Sequence, residues 1–200
     1  EGRIHLKPQP PCSVVSLFEH PCIENGLSYK EGGTEYVVIS PHIGGLPDAV
    51  NSLYAIKKAV FDDHLVSFEQ FMEILKKNWE NEETLRKRIL SGYTYFGNDN
   101  DEVDEIAAKI LNGFSDACME YDRKTPVRFV SGVSTFGRQI EWAPARSAAP
   151  FGRKKGEVLS RNLSPTPGTD HSGAAAIIKS YCKADLRKQY TGAALDIGFV

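Results

Sequence analysis

The chain has 200 residues, 41% hydrophobic and 25% charged, which is the composition of a globular protein with enough apolar side chains for a sizeable core. With 24 Lys and Arg against 26 Asp and Glu, the net charge of -2 supplies no large cationic field for a phosphate backbone, and nucleic acid is not expected as a partner. No apolar run reaches the roughly 18 residues of a membrane span, no basic and apolar leader opens the chain, and four scattered cysteines without a CxxC pair are too sparse for a disulfide framework, so a cytoplasmic protein with free thiols and no membrane contact is expected.

In chain order, Pro8, Pro10 and Pro11 predict an irregular start, because proline fixes φ and removes a backbone donor. Glu35 to Ser40 is β-branched and aromatic without helical period and predicts a buried strand ended by Pro41. Leu46, Val50, Leu53, Val60 and Phe61 recur at helical spacing and predict a helix over 46–61. Ser67 and Gln70 form a capping-box pattern that starts a second helix towards Trp79, and a third is expected around Leu85, Ile89 and Leu90, stopped by Gly92. Gly97 to Asp101 is turn chemistry in front of the clearest amphipathic helix, carrying Val103, Ile106, Ala107, Ile110, Leu111, Phe114 and Cys118 on one face. Val127 to Thr135 reads as a strand, 143–167 as a long loop rich in Gly, Pro, Arg and Ser, 174–180 as a compact helix, and 195–200 as strand-like, with both chain ends expected to be internal to a longer polypeptide.

Four blocks carry a resemblance. Cys22-Ile-Glu-Asn-Gly26 through Gly32-Gly-Thr-Glu-Tyr36, Gly45 through Phe61, Phe96-Gly-Asn-Asp99, and Gly152-Arg-Lys-Lys-Gly-Glu157 with Ser164-Pro165 and Gly168-Thr-Asp170 stand in the order found in the distal half of glycyl radical enzymes. The chain therefore resembles the pyruvate formate-lyase-like family over nearly its whole length from Cys22. The resemblance implies an α/β fold: residues 1–200 would be part of a ten-stranded α/β barrel, with several long helices and long Gly/Pro/Arg-rich loops. It further implies a radical lyase, dehydratase, decarboxylase or formate acyltransferase, with no bound cofactor but a protein glycyl radical installed by a radical-SAM iron–sulfur activating enzyme. The implied partners are a small-molecule substrate, that activating enzyme, the remainder of its own polypeptide, and a second copy in a homodimer.

The family's RVxGY-type radical glycine stretch does not occur in these residues, nor does the GCxE-type thiyl cysteine, so the chain alone is expected to be inactive. Cys22 falls in the wrong block for the thiyl role and is expected to be buried as a small apolar side chain. Departures at Gly173-Ala-Ala-Ala176 and Gly33-Thr-Glu-Tyr36 blur the subfamily.

Candidate sites carry two readings each. Gly168, Thr169 and Asp170 precede a helix N-terminus whose free N–H groups would favour a polar substrate group, while Asp170 could equally be a helix cap. Tyr36 is the aromatic expected to face the cavity. Glu19 could be a cavity carboxylate or a solvated helix-end residue. Arg153, Lys154 and Lys155 could form an anion patch, but Arg153 tying its own loop through backbone carbonyls is the plainer reading. His171 is a weak general-acid candidate. His5, His20, His42 and His64 lack an i,i+4 partner, so no metal site is expected. The competing reading of the whole is a non-catalytic α/β scaffold or binding module.

Overall fold

A computed structural model of the chain describes residues 12–125 and 127–198, so Pro8, Pro10, Pro11 and His5 lie outside it. Two short helices, α1 (Ser13–Ser16) and α2 (His20–Asn25), lead through a 3-10 turn into strand β1 (Val37–Ile39) and strand β2 (His42–Ile43). Helices α3 (Leu46–Ile56), α4 (Phe68–Lys76), α5 (Glu83–Gly92) and the 24-residue α6 (Asp101–Lys124) form the crossover to β3 (Val127–Phe129) and β4 (Gly132–Val133). After α7 (Gln139–Trp142) and a long irregular segment, α8 (Gly173–Cys182) returns the chain to a β-bridge at Ala193.

β1 pairs with β3 and β2 with β4, both parallel, in a register that places Val38 opposite Arg128 and His42 opposite Gly132. On the other flank of β4 the Val133 N–H donates to the Gly192 carbonyl at 2.9 Å, and the Thr191 N–H donates to that of Ser131 at 3.1 Å. Three parallel segments thus lie side by side in chain order. Parallel neighbours require crossovers of a dozen residues or more, and the helices supply them.

The strip has two unlike faces because successive side chains alternate. Val133 and Ile43 pack into the helical core formed by Val50, Tyr54, Phe71, Trp79, Ile89, Tyr95, Phe96, Val103, Ala107 and Leu111, and Val37, Ile39 and Phe129, half-buried, share their face by alternation and register. Tyr36, Val38, Ser40 and Arg128 occupy the opposite face and are exposed.

The fold departs from sequence expectation in five places, the first being that the strand expected to be buried over 35–40 is β1, whose residues are half-buried or exposed because only one of its faces meets the helices. The strand expected over 127–135 breaks at Val130 and Ser131 into β3 and β4, and β2 follows Pro41. The helix at 46–61 changes to a π-helical turn over Lys57–Asp62, which rotates Phe61 out to solvent, and Leu53 is exposed as well. α4 ends at Lys76, and Trp79 enters the core from a left-handed turn. Residues 195–198 form no strand, and 199–200 lie outside the described residues. The capping box of Ser67 and Gln70 is present with both bonds at 3.2 Å.

Candidate active-site mouth

The loops that leave the C-terminal ends of parallel strands are where α/β folds place their ligands. Here those loops are Gly44–Gly45 after β2, Ser134–Arg138 after β4, and 194–196 after the bridge at Ala193. His42, the first residue of the two-residue β2 and on the open face, has Nε2 3.0 Å from Ser40 Oγ and 3.3 Å from Thr191 Oγ1. Its Nδ1 is buried and has no hydrogen-bond partner among the described residues. Only glycine fits at position 132: a Cβ there would stand 2.3 Å from Thr191 Oγ1 and 2.7 Å from His42 Cε1, so the bare backbone lets both side chains cross the strip.

The imidazole of His42 meets the ring of Phe136 at 5.1 Å and 60°. Phe136 is 73% exposed and holds φ at +50°, a conformation that costs a non-glycine residue free energy and recurs at functional sites. Neither His42 nor Phe136 stands out in the sequence as a site residue. The one available signal was strand alternation, which puts His42 on the same face as Tyr36.

Behind the mouth, blocks far apart in sequence are joined by buried polar side chains. The Asp48 carboxylate, in the first turn of α3, accepts from Thr166 Oγ1 at 2.6 Å and from the Ser160 N–H at 3.2 Å, and Arg153 Nε lies 3.9 Å away. Burial pushes the Asp48 carboxyl above its ordinary range, opposed by these hydrogen bonds and by the Arg153 charge. Asn51 accepts from the Phe96 N–H at 3.1 Å and donates to Thr166 Oγ1 at 3.2 Å. Asn98 Nδ2 donates to the carbonyls of Tyr95 and Thr169, at 2.9 and 2.7 Å. Its Oδ1 accepts from the N–H groups of His171 and Ser172, at 2.7 and 3.1 Å. A Cβ on Gly97 would lie 2.3 Å from Pro165 Cγ, so the turn before α6 and the Ser164-Pro165 segment are in direct contact.

The predicted site residues lie on different elements. Tyr36 is 53% exposed on the open face, with the Arg128 guanidinium 5.4 Å above its ring. Glu19 is half-buried at the N-cap position of α2, where its side chain makes no cap hydrogen bond. Thr169 is buried, with Oγ1 and N–H both donating to the Thr166 carbonyl. Gly168, at φ +80°, lines a cleft of about 330 Å³ with Arg86, Phe151, Arg153 and Thr166. Asp170 is exposed and does not cap α8: the cap position is Ser172, without a side-chain bond. The N–H groups expected to be free in this loop are instead taken at Thr169, His171 and Ser172.

Arg153 ties its own loop, donating to the carbonyls of Ser147, Lys154 and Glu157 at 2.8 to 3.2 Å, while Lys154 pairs with Glu83 at 3.1 Å and Lys155 is exposed. Cys22 is buried, and burial raises its thiol pKa, with a smaller push from Glu19. His20 does have an i,i+4 partner, Glu24, at 3.4 Å, contrary to the sequence reading. Among the described residues no group of three His, Cys, Asp or Glu could hold a metal, and no helix is long and apolar enough to cross a membrane.

A sequence model of the pyruvate formate lyase-like family matches residues 4–142. The chain is 32% identical over 178 residues to the probable dehydratase YbiW of Escherichia coli K12, covering 85% of this chain and 22% of that protein. It is 31% identical over 202 residues to the (2S)-3-sulfopropanediol dehydratase of Klebsiella oxytoca, covering 97% of this chain and 24% of that protein. The glycerol-bound B12-independent glycerol dehydratase of Clostridium butyricum superposes with a TM-score of 0.81 at 30% identity, over 93% of this chain and 24% of that one. A glycyl radical enzyme from Archaeoglobus fulgidus gives 0.83 at 29% identity, over 94% and 24%. The chain thus spans less than a quarter of the length of these relatives.

Proposed function

The chain belongs to the pyruvate formate lyase-like family of glycyl radical enzymes, and from that premise we propose that it forms one sector of a ten-stranded catalytic barrel whose open face lines a cavity for a small hydroxylated substrate. The observation that carries this reading is the strip of three parallel segments which, among the described residues, packs the core helices on one face and leaves Tyr36, Val38, Ser40 and Arg128 exposed on the other. A barrel interior is the surface such a face would line.

Dehydratases among its relatives favour carbon–oxygen cleavage, with loss of water, over acyl transfer. In this reading Tyr36, His42 and Phe136 wall the cavity, the Gly168-Thr169-Asp170 loop approaches the substrate through the Asp170 carboxylate, and Glu19 is a further carboxylate near it. A glycyl radical, installed by a radical-SAM iron–sulfur activating enzyme, and a thiyl cysteine would supply the hydrogen abstraction from outside these 200 residues. The complete enzyme would be a cytoplasmic homodimer.

The test is anaerobic activation of the full-length protein that carries this chain, followed by product analysis with propane-1,2-diol, glycerol and trans-4-hydroxy-L-proline. Dehydration products, such as propanal and water from propane-1,2-diol, support the reading. Acyl transfer between pyruvate and coenzyme A in their place would overturn it.

A further inference from the structure

Asn162 stands at the crossing of the two loops that frame Phe136, and three of its polar groups are used there. Its Oδ1 accepts from the Thr135 N–H at 2.9 Å and lies 3.3 Å from Ser134 Oγ. Its own N–H donates to Thr135 Oγ1 at 3.4 Å, which leaves that hydroxyl proton for Gln139 Oε1 at 2.8 Å. Its Nδ2 donates to Asp196 Oδ2 at 2.8 Å, on the loop after the third strand segment. Asp196 is held in turn by Ser164, whose Oγ accepts the Asp196 N–H at 2.8 Å.

Asn162 holds φ at +50°, where asparagine is among the few non-glycine residues readily accommodated. The turn it grips contains Phe136, also at +50°, whose N–H donates to Ser134 Oγ at 3.2 Å and whose exposed ring rests on His42. An exposed aromatic in a strained backbone needs something to over-determine that conformation. The hydrogen bonds at Ser134 and Thr135, the two residues before Phe136, are the ones that converge on a single side chain.

We propose that Asn162 is a positioning residue of the strand mouth: its carboxamide links the Ser134–Gly137 turn to Asp196, fixes Phe136 over His42, and thereby sets the size of small molecule the cavity admits. This rests on the barrel reading for its consequence, though not for its geometry. A wall residue that is held in place excludes larger substrates without touching the reacting atoms. Loss of the hold should show in KM and in substrate size preference before it shows in turnover.

The experiment uses the activated full-length enzyme. Asn162→Asp keeps the acceptor for the Thr135 N–H but sets two carboxylates against each other, whereas Asn162→Asp with Asp196→Asn restores one donor and one acceptor in exchanged places. The single variant should raise KM for propane-1,2-diol or glycerol about tenfold and shift the preference between them, with the glycyl radical signal unchanged, and the double exchange should return both. Equal KM values and an unaltered preference in the single variant would overturn the proposal, as would a loss that the double exchange fails to restore. Crystal structures of the wild type and Asn162→Gly give a substrate-independent reading: Phe136 should leave His42 in the variant, and an unmoved ring would contradict the hold. A wild-type enzyme that forms no radical and no product sinks the barrel reading alone, because the position of Phe136 still decides the role of Asn162.

Discussion

Glu83 shows what a single half-buried carboxylate contributes to joining two segments. Hydrogen bonds from Arg86 and then Lys154 hold its carboxyl down to about 2, from an ordinary 4.5, and through them α5 is tied to the loop at 154. A depressed carboxylate stabilises the fold above its unfolded pKa and loses that stabilisation as pH falls towards the folded value, here between 4.5 and about 2. Glu83→Gln is therefore expected to lower Tm modestly at about pH 6 and to match the wild type once the acid is protonated, as thermal unfolding across that range would show. Asp170 gives the opposite case. Because it caps nothing, both Asp170→Asn and Asp170→Ala should leave Tm nearly unchanged, while a substrate contact would make Asp170→Asn reduce kcat/KM about tenfold or more in the activated enzyme. At this scale the sequence was legible for Arg153, since a Gly-flanked arginine on a long loop has few partners but nearby carbonyls. It was not legible for His42, Phe136 or Asn162: their significance comes from strand register and left-handed backbone, neither of which leaves a local pattern.

Between elements, the family blocks are connected by hydrogen bonds. Asn98 alone serves two carbonyls and two N–H groups, joining the turn before α6 to the segment before α8. Asn98→Ala would leave these groups without partners in a buried setting and should cost roughly 1–3 kcal/mol in denaturant unfolding, with hydrogen exchange accelerating first at His171 and Ser172. A variant as stable as the wild type would show that water replaces the carboxamide at no cost. The elements most easily read were those with strong local grammar: the Ser67–Gln70 box and the acidic N-terminus of α6 both stand where their residue types put them. The helix at 46–61 was misread in its last turn because one extra residue in the π-helical turn shifts every later side chain by about 100°, so a 3.6-residue period places Phe61 inward when it is 61% exposed. The split between β3 and β4 was hidden for a similar reason. Val130 and Ser131 fit a strand, and Ser131 is instead turned to α6, where its Oγ lies 3.1 Å from Ser115 Oγ.

At the level of the whole molecule, several large apolar side chains are left in solvent. Phe18, Phe61, Phe136, Val38 and Tyr36 are all exposed, on the open sheet face and around the helical rim, and β1–β2 has one edge unpaired among the described residues. Exposed apolar area and a bare strand edge favour association or loose packing. The 200-residue chain by itself should therefore bind ANS and melt broadly, and a clean monomer with a sharp two-state transition would mark it as a self-sufficient domain instead. Membership of the family was legible from four blocks in order, whereas the proposed closure of a barrel would need strands outside this strip, which no local pattern encodes. The most direct test is electron paramagnetic resonance after anaerobic treatment with a radical-SAM activating enzyme. A natural polypeptide carrying these residues together with an RVxGY-type stretch should give a glycyl radical doublet, and residues 1–200 alone should give none. A doublet in the isolated chain, or its failure to form in the complete polypeptide, would contradict the assignment of these residues to one sector of a radical-bearing barrel.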